Sequence, residues 1–251
     1  LVYLYVSKQE QPRIKYAMLS IFFVGVLGTI GIALTVLMTT GVLQQVQTVV
    51  SATEKTFALP EMDENVATEI KRIVVETGQQ VQLETTTTKQ LHIFGTYRTT
   101  VEKGKAPTIV KKEDYVMKKV VGDTMYIQFK SPEQNNGLFN SYTYMSPTIA
   151  IPDTVELEIR ATRSGVKLHV QTLKNNWTVK GAQYVDLYVK ESNDIELTAY
   201  SDYEMNTTYF EWEKIPSENY DSYKGLYKLG EGTYQLNILE SDLVDLVIAE
   251  G

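Results

Sequence analysis

Two patterns of apolar and polar residues divide the chain. The first is continuous: Tyr16 to Leu43 is a run of 28 residues without a charge, and Ile21, Phe22, Phe23, Val24, Val26 and Leu27 leave no polar side to a helix built from them. A helix apolar around its whole circumference belongs in a large core or a membrane, and about 20 helical residues cross the ~30 Å hydrocarbon layer. Lys8, Arg13 and Lys15 stand immediately before the run, whereas the first charge after it is Glu54. The positive-inside bias therefore predicts one transmembrane helix over residues 16–43, with residues 1–15 cytoplasmic and the rest of the chain outside. A cleaved signal peptide has an apolar region of only ~7–15 residues, so an uncleaved anchor is expected. The opening Leu1-Val2-Tyr3-Leu4-Tyr5-Val6 also suits the tail of an earlier membrane segment.

The second pattern is alternation with period two. Past a predicted stalk and linker over residues 44–69, in which Val42, Leu43, Val46, Val49 and Val50 form an apolar stripe and Phe57 to Glu69 a connector, short β-branched and aromatic runs take over. They are Ile73 to Val75, Val81 to Leu83, Leu91 to Ile93, Asp114 to Val121 and Met125 to Phe129, with no second helix among them. Ser131 to Ser146 reads as an irregular loop. Then come Val155 to Ile159, Val166 to Val170, Trp177 to Val179, Val185 to Val189 and Ile195 to Ala199, and after a break at 200–222 the rhythm returns at Tyr234 to Ile238 and Leu243 to Ile248. One apolar and one polar side per unit, with starts recurring about every ten residues, predicts a mainly β domain over residues 70–251. Both a meander of hairpins and the stacked coils of a β-solenoid satisfy that spacing.

These units resemble the bacterial "putative adhesin" domain-of-unknown-function family. The likeness is carried by Ile73 to Glu84 with Lys89 to Tyr97, by Gly122 to Phe129 ahead of the Ile151-Pro152 step and the Leu157-Glu158-Ile159 strand, by the ten-residue units, and by the ending Gly225 to Ile248. The family's turns commonly carry Gly; here Thr162-Arg163-Ser164-Gly165 has it, whereas Lys174-Asn175-Asn176 and Ser192-Asn193-Asp194 do not. The resemblance implies a membrane-anchored, extracytoplasmic β-solenoid-like domain in adhesion, envelope-stress or regulatory contexts.

Charge and chemistry narrow the picture. The chain has no cysteine and a net charge of −7; its first 50 residues carry +2, leaving −9 for the remainder, a poor match for nucleic acid or anionic lipid. His92 and His169 are the only histidines, sit in alternating strands and lack metal-site spacing, so they read as solvent-facing strand residues. There is no Gly-x-Ser-x-Gly elbow. Glu211-Trp212-Glu213 places two carboxylates on one side of a strand, the only hint of glycan hydrolysis, and reads instead as solvated charges around a buried Trp. Glu191, Asp194, Asp202 and Glu204 form an acidic patch without calcium-loop spacing. No cofactor is expected.

Aromatics are the stronger signal. Eight of the 17 tyrosines fall in two segments, Leu138 to Met145 and Tyr200 to Tyr227, and exposed aromatics give contact area at low entropic cost. Phe139, Tyr142, Tyr144, Tyr203, Tyr209, Trp212 and Tyr220 are therefore the candidate partner-binding residues, for a protein of the envelope or a glycan. Gly25, Gly28 and Gly31 form a strip on which another helix can pack. The sequence thus points to a non-enzymatic, single-anchor envelope protein that binds a partner or senses envelope state. The alternative is an accessory subunit that joins a larger membrane complex through its helix.

Overall fold

In the computed structural model of the chain, the described residues are 22–30, 35, 53–101, 109, 111–130, 143–203, 209, 211–216 and 222–250. Contacts divide the chain into a unit holding residues 1–53 and a far larger one holding nearly everything after it. In the first, residues 22–30 (α1) and Thr35 are helical. Phe22, Phe23, Val24, Leu27 and Ile30 are all exposed on α1. Among the described residues no helix is long and apolar enough to cross a membrane; the rest of the predicted 16–43 span lies outside them.

The larger unit is mainly β, built as two sheets. Sheet 1 runs in the order β1(Thr53–Ala58), β5(Gln90–Val101), β8(Tyr144–Pro152), β4(Val81–Thr86), β10(Gly165–Val170), β12(Tyr184–Lys190), β17(Leu243–Ala249), with β2(Met62–Asn65) also on β5. Sheet 2 runs β14(Glu211–Ile215), β15(Ser222–Leu229), β13(Ile195–Ser201), β16(Tyr234–Ser241), β11(Trp177–Lys180), β9(Glu156–Ala161), β3(Arg72–Thr77), β7(Thr124–Phe129), β6(Val116–Val121). A short helix α2(Lys112–Tyr115) precedes β6.

The middle strands of each sheet are parallel and in register, so the alternating pattern stacks like on like. In sheet 1, Val81, Val166, Val185 and Val244 form one ladder, and Leu83, Leu168, Leu187 and Leu246 the next. In sheet 2, Ile73, Leu157, Trp177, Leu236 and Leu197 align, followed by Val75, Ile159, Val179, Ile238 and Ala199. All of these side chains are buried, and together they are the core between the sheets. Parallel sheets need both faces supported, or one face against a partner sheet, because evenly slanted hydrogen bonds alone are slightly weaker than antiparallel ones.

Consecutive strands repeatedly pass from sheet 2 to sheet 1, as β3–β4, β9–β10, β11–β12 and β16–β17 do. Where the chain turns back from sheet 1 to sheet 2, small polar side chains satisfy the interrupted backbone. Buried Asn193 donates its Nδ2 to the carbonyls of Lys190 at 2.8 Å and of Val170 and Gln171 at 3.2 Å. Buried Asp153 accepts from Thr172 Oγ1 at 2.7 Å and pairs with Lys174 at 3.0 Å.

The strands of sheet 2 do not stack in chain order. β3 lies between β7 and β9, and β16 fits between β11 and β13, a place that stacking in chain order would have given to β13 itself. The late insertion is fastened by Asp194 at the start of β13. Its carboxylate accepts from Gly232 N at 2.7 Å and from Thr233 Oγ1, and Tyr234 N donates to its carbonyl at 3.1 Å. Gly230 and Gly232 in that turn have φ of +63° and +74°, values that glycine adopts without the Cβ clash.

Three expectations need correction. Thr53–Ala58 and Met62–Asn65 are strands of sheet 1, where the polar, Pro60-containing connector was expected, because β5 offers them an open edge. The segment from Asp114 to Val121 is not one strand: Asp114 caps a helical turn through Lys111 N at 2.8 Å before β6 begins. Tyr144 to Ser146, expected within the irregular loop, are the first residues of β8 and pair with β5.

Candidate functional site

Alternation gives each sheet an outward face, and the two differ. On sheet 1 one outward row runs across six strands as His92, Ala150, Glu84, His169, Tyr188 and Val247, a span of about 24 Å at ~4.8 Å per strand. The adjoining row is Phe94, Thr148, Gln82, Lys167, Asp186 and Asp245. His92 stacks on Phe94 with ring centroids 4.8 Å apart, and His169 leans on Tyr188 at 4.7 Å. Asp63 on β2 fixes the His92 ring through Nδ1 at 2.5 Å. Tyr184 lies flat across Gly165, where an added Cβ would meet its ring at 2.0 Å. Beyond it, Tyr144 donates its hydroxyl to Gln80 Oε1 at 2.7 Å. Within the second row Lys167 and Asp186 form an ion pair at 3.6 Å. The face offers two aromatic pairs separated by small and polar residues on a rigid floor, which suits contact with a flat or extended surface.

Sheet 2 turns its charges on itself. Glu158, with its side chain 7 % exposed, meets Arg72, Arg160 at 2.8 Å and Lys180 at 3.5 Å. Arg72 also reaches Glu156 at 3.5 Å, and Arg160 reaches Glu76 at 3.1 Å. Burial alone would raise the Glu158 carboxyl, but the Arg160 hydrogen bond and the charges of Arg160, Arg72 and Lys180 outweigh it and hold it below the usual carboxylate range. Such a network fixes β3, β9 and β11 to one another.

The residues singled out from the sequence fall as follows. Tyr144 is exposed on sheet 1, and Tyr203, at 64 %, is the most exposed tyrosine among the described residues. Tyr209 is exposed and meets Tyr227 edge-on at 5.8 Å. Trp212 instead packs partly buried against the core, with Glu211 and Glu213 exposed beside it. Phe139, Tyr142, Tyr220, Gly31, Lys8, Arg13 and Lys15 lie outside the described residues. At Gly25 and Gly28 an added Cβ meets nothing within 4 Å. His92 and His169 are half-buried on the outward rows of sheet 1. Among the described residues no group of three or more His, Asp or Glu converges as a metal site. The aromatic tracts therefore did not reveal the sheet 1 row. Its signal was His92, Phe94, His169 and Tyr188 occupying the polar side of alternating strands.

No family model matches the chain, and no curated protein matches it. Among solved structures it is similar to a "putative cell adhesion protein" from Clostridium sporogenes, at 12% identity and a TM-score of 0.40, over 80% of this chain and 100% of that one. It is also similar to a "putative adhesin" from Bacteroides fragilis, at 7% identity and a TM-score of 0.20, over 77% of this chain and 97% of that one. The named neighbours are adhesin-class proteins, and at these scores they define no common fold or function.

Proposed function

We propose that the chain is a non-enzymatic envelope protein, anchored by the 16–43 helix with its N-terminus cytoplasmic, whose exterior β-domain is a solenoid-like stack that binds a partner. The partner meets the outer face of sheet 1. The observation that carries this reading is the outward row from His92 to Tyr188, where His92 stacked on Phe94 and His169 on Tyr188 stand half-open on in-register strands above the core. Side chains held by stacking lose little entropy on contact.

A photo-crosslinking residue placed at Tyr188 on the full-length protein in native membranes tests it, with Thr178 on the outer face of sheet 2 as the control. A discrete adduct from position 188 and none from 178 is expected. Equal yields from both would sink the assignment of the face, and an adduct reached only from the cytoplasmic side would sink the orientation.

A further inference from the structure

A concave site stands away from that face. Where the chain turns from sheet 1 into sheet 2, a groove of about 490 Å³ runs between the 66–71 connector, Lys89, the 152–156 corner and Asn175. Its floor is apolar: Val66, Ile70 and Val155 are 8 %, 7 % and 6 % exposed, and Pro152 is buried beside them. Its walls are tied together by backbone bonds from Val66 N to Lys89 O at 2.9 Å and from Glu156 N to Lys71 O at 3.0 Å. Asn175 Nδ2 braces the rim on Thr154 O at 3.0 Å. The groove is thus formed before anything enters it, the usual condition of a small-molecule site.

Charge selects the occupant. Lys71 and Lys89 are exposed on the lining, and neither is ion-paired among the described residues. The lining's one carboxylate, Glu156, faces Arg72 at 3.5 Å. In a chain of net charge −7 the groove therefore stands out as a place where an anion is attracted. We propose that it binds a small carboxylate-bearing molecule with a short apolar chain. The chain lies on Val66, Ile70, Pro152 and Val155, and the carboxylate is held by the two lysine ammonium groups. The site is independent of the sheet 1 face and of any partner there.

The test uses full-length protein in lipid nanodiscs, labelled at Ile and Val methyl groups, titrated with hexanoate and separately with hexanamide. Saturable shifts confined to Ile70, Val66 and Val155 are expected with hexanoate. Two surface ionic contacts predict about five- to tenfold weaker binding of hexanamide, and of hexanoate to K71Q/K89Q. Ala67→Phe, an exposed change that fills the groove, should abolish the shifts while leaving the other methyl signals in place. Equal affinity for acid and amide would overturn the proposal, as would hexanoate shifts that survive Ala67→Phe or an absence of shifts at the three groove methyls.

Discussion

The two outward faces of the domain are built on the same backbone geometry and differ in what their side chains hold. Sheet 2 gathers Arg72, Arg160 and Lys180 around one nearly buried carboxylate, so the charges at its centre hold strands together. Sheet 1 places His92 on Phe94 and His169 on Tyr188, contacts that lie on top of an already complete core and hold nothing beneath them. The lesson is that a face is available for recognition when its removal would leave the fold intact. That criterion separates the two sheets where composition alone would not, since both are mixtures of charged, polar and aromatic residues.

The sharpest way to break this comparison lies on a single strand. Leu168 and His169 are neighbours in β10 pointing to opposite sides, the first fully buried and the second half-open. Leu168→Ala should cost about 2–5 kcal/mol through lost burial and the cavity it leaves. Urea unfolding read as a lowered midpoint at unchanged slope checks it. Next comes Glu158→Ala, which leaves three cations facing one another. Breaking a buried pair costs roughly 3–5 kcal/mol, but these cations keep solvent contact, so about 1–3 kcal/mol is expected in the same unfolding measurement.

Acid sharpens the same point. Glu158 is held below its ordinary value of 4.5, so its contribution is fully present above that pH and is lost as pH falls through the lower folded value. Unfolding midpoints of the wild-type protein and Glu158→Gln, measured from pH 6 to pH 3, should therefore converge at the acid end. A constant gap across the range would remove the network's role. Smallest of all, His169→Ala and Tyr188→Ala on the sheet 1 face should each change stability by under about 1 kcal/mol. A drop as large as that of Leu168→Ala would show that the aromatic row supports the fold, and the recognition face would have to be sought elsewhere.

Much of the architecture could be read before folding. The triplets Val81-Gln82-Leu83, Val166-Lys167-Leu168, Val185-Asp186-Leu187 and Val244-Asp245-Leu246 announce strands with one apolar side, and each is a strand whose Val and Leu enter the core. The connector strands were hidden, because Thr53–Ala58 and Met62–Asn65 are polar edge strands whose pairing with β5 comes from an open neighbour and not from their own pattern. The candidate faces were half visible: the alternation marks His169 and Tyr188 as outward, but nothing local says that β10 and β12 are adjacent. The groove at Lys71 and Lys89 was invisible, since its walls come from four separate segments.

The sequence by itself determined which side of each strand is apolar, since a period of two assigns every residue to a face regardless of its neighbours. Only the tertiary structure decided the order of the strands within each sheet. A Val-x-Leu strand stacks equally well on any other Val-x-Leu strand, so local pattern is degenerate. The choice was made by long-range contacts such as Asp194 to the Gly232–Thr233 turn, which place β16 between β11 and β13.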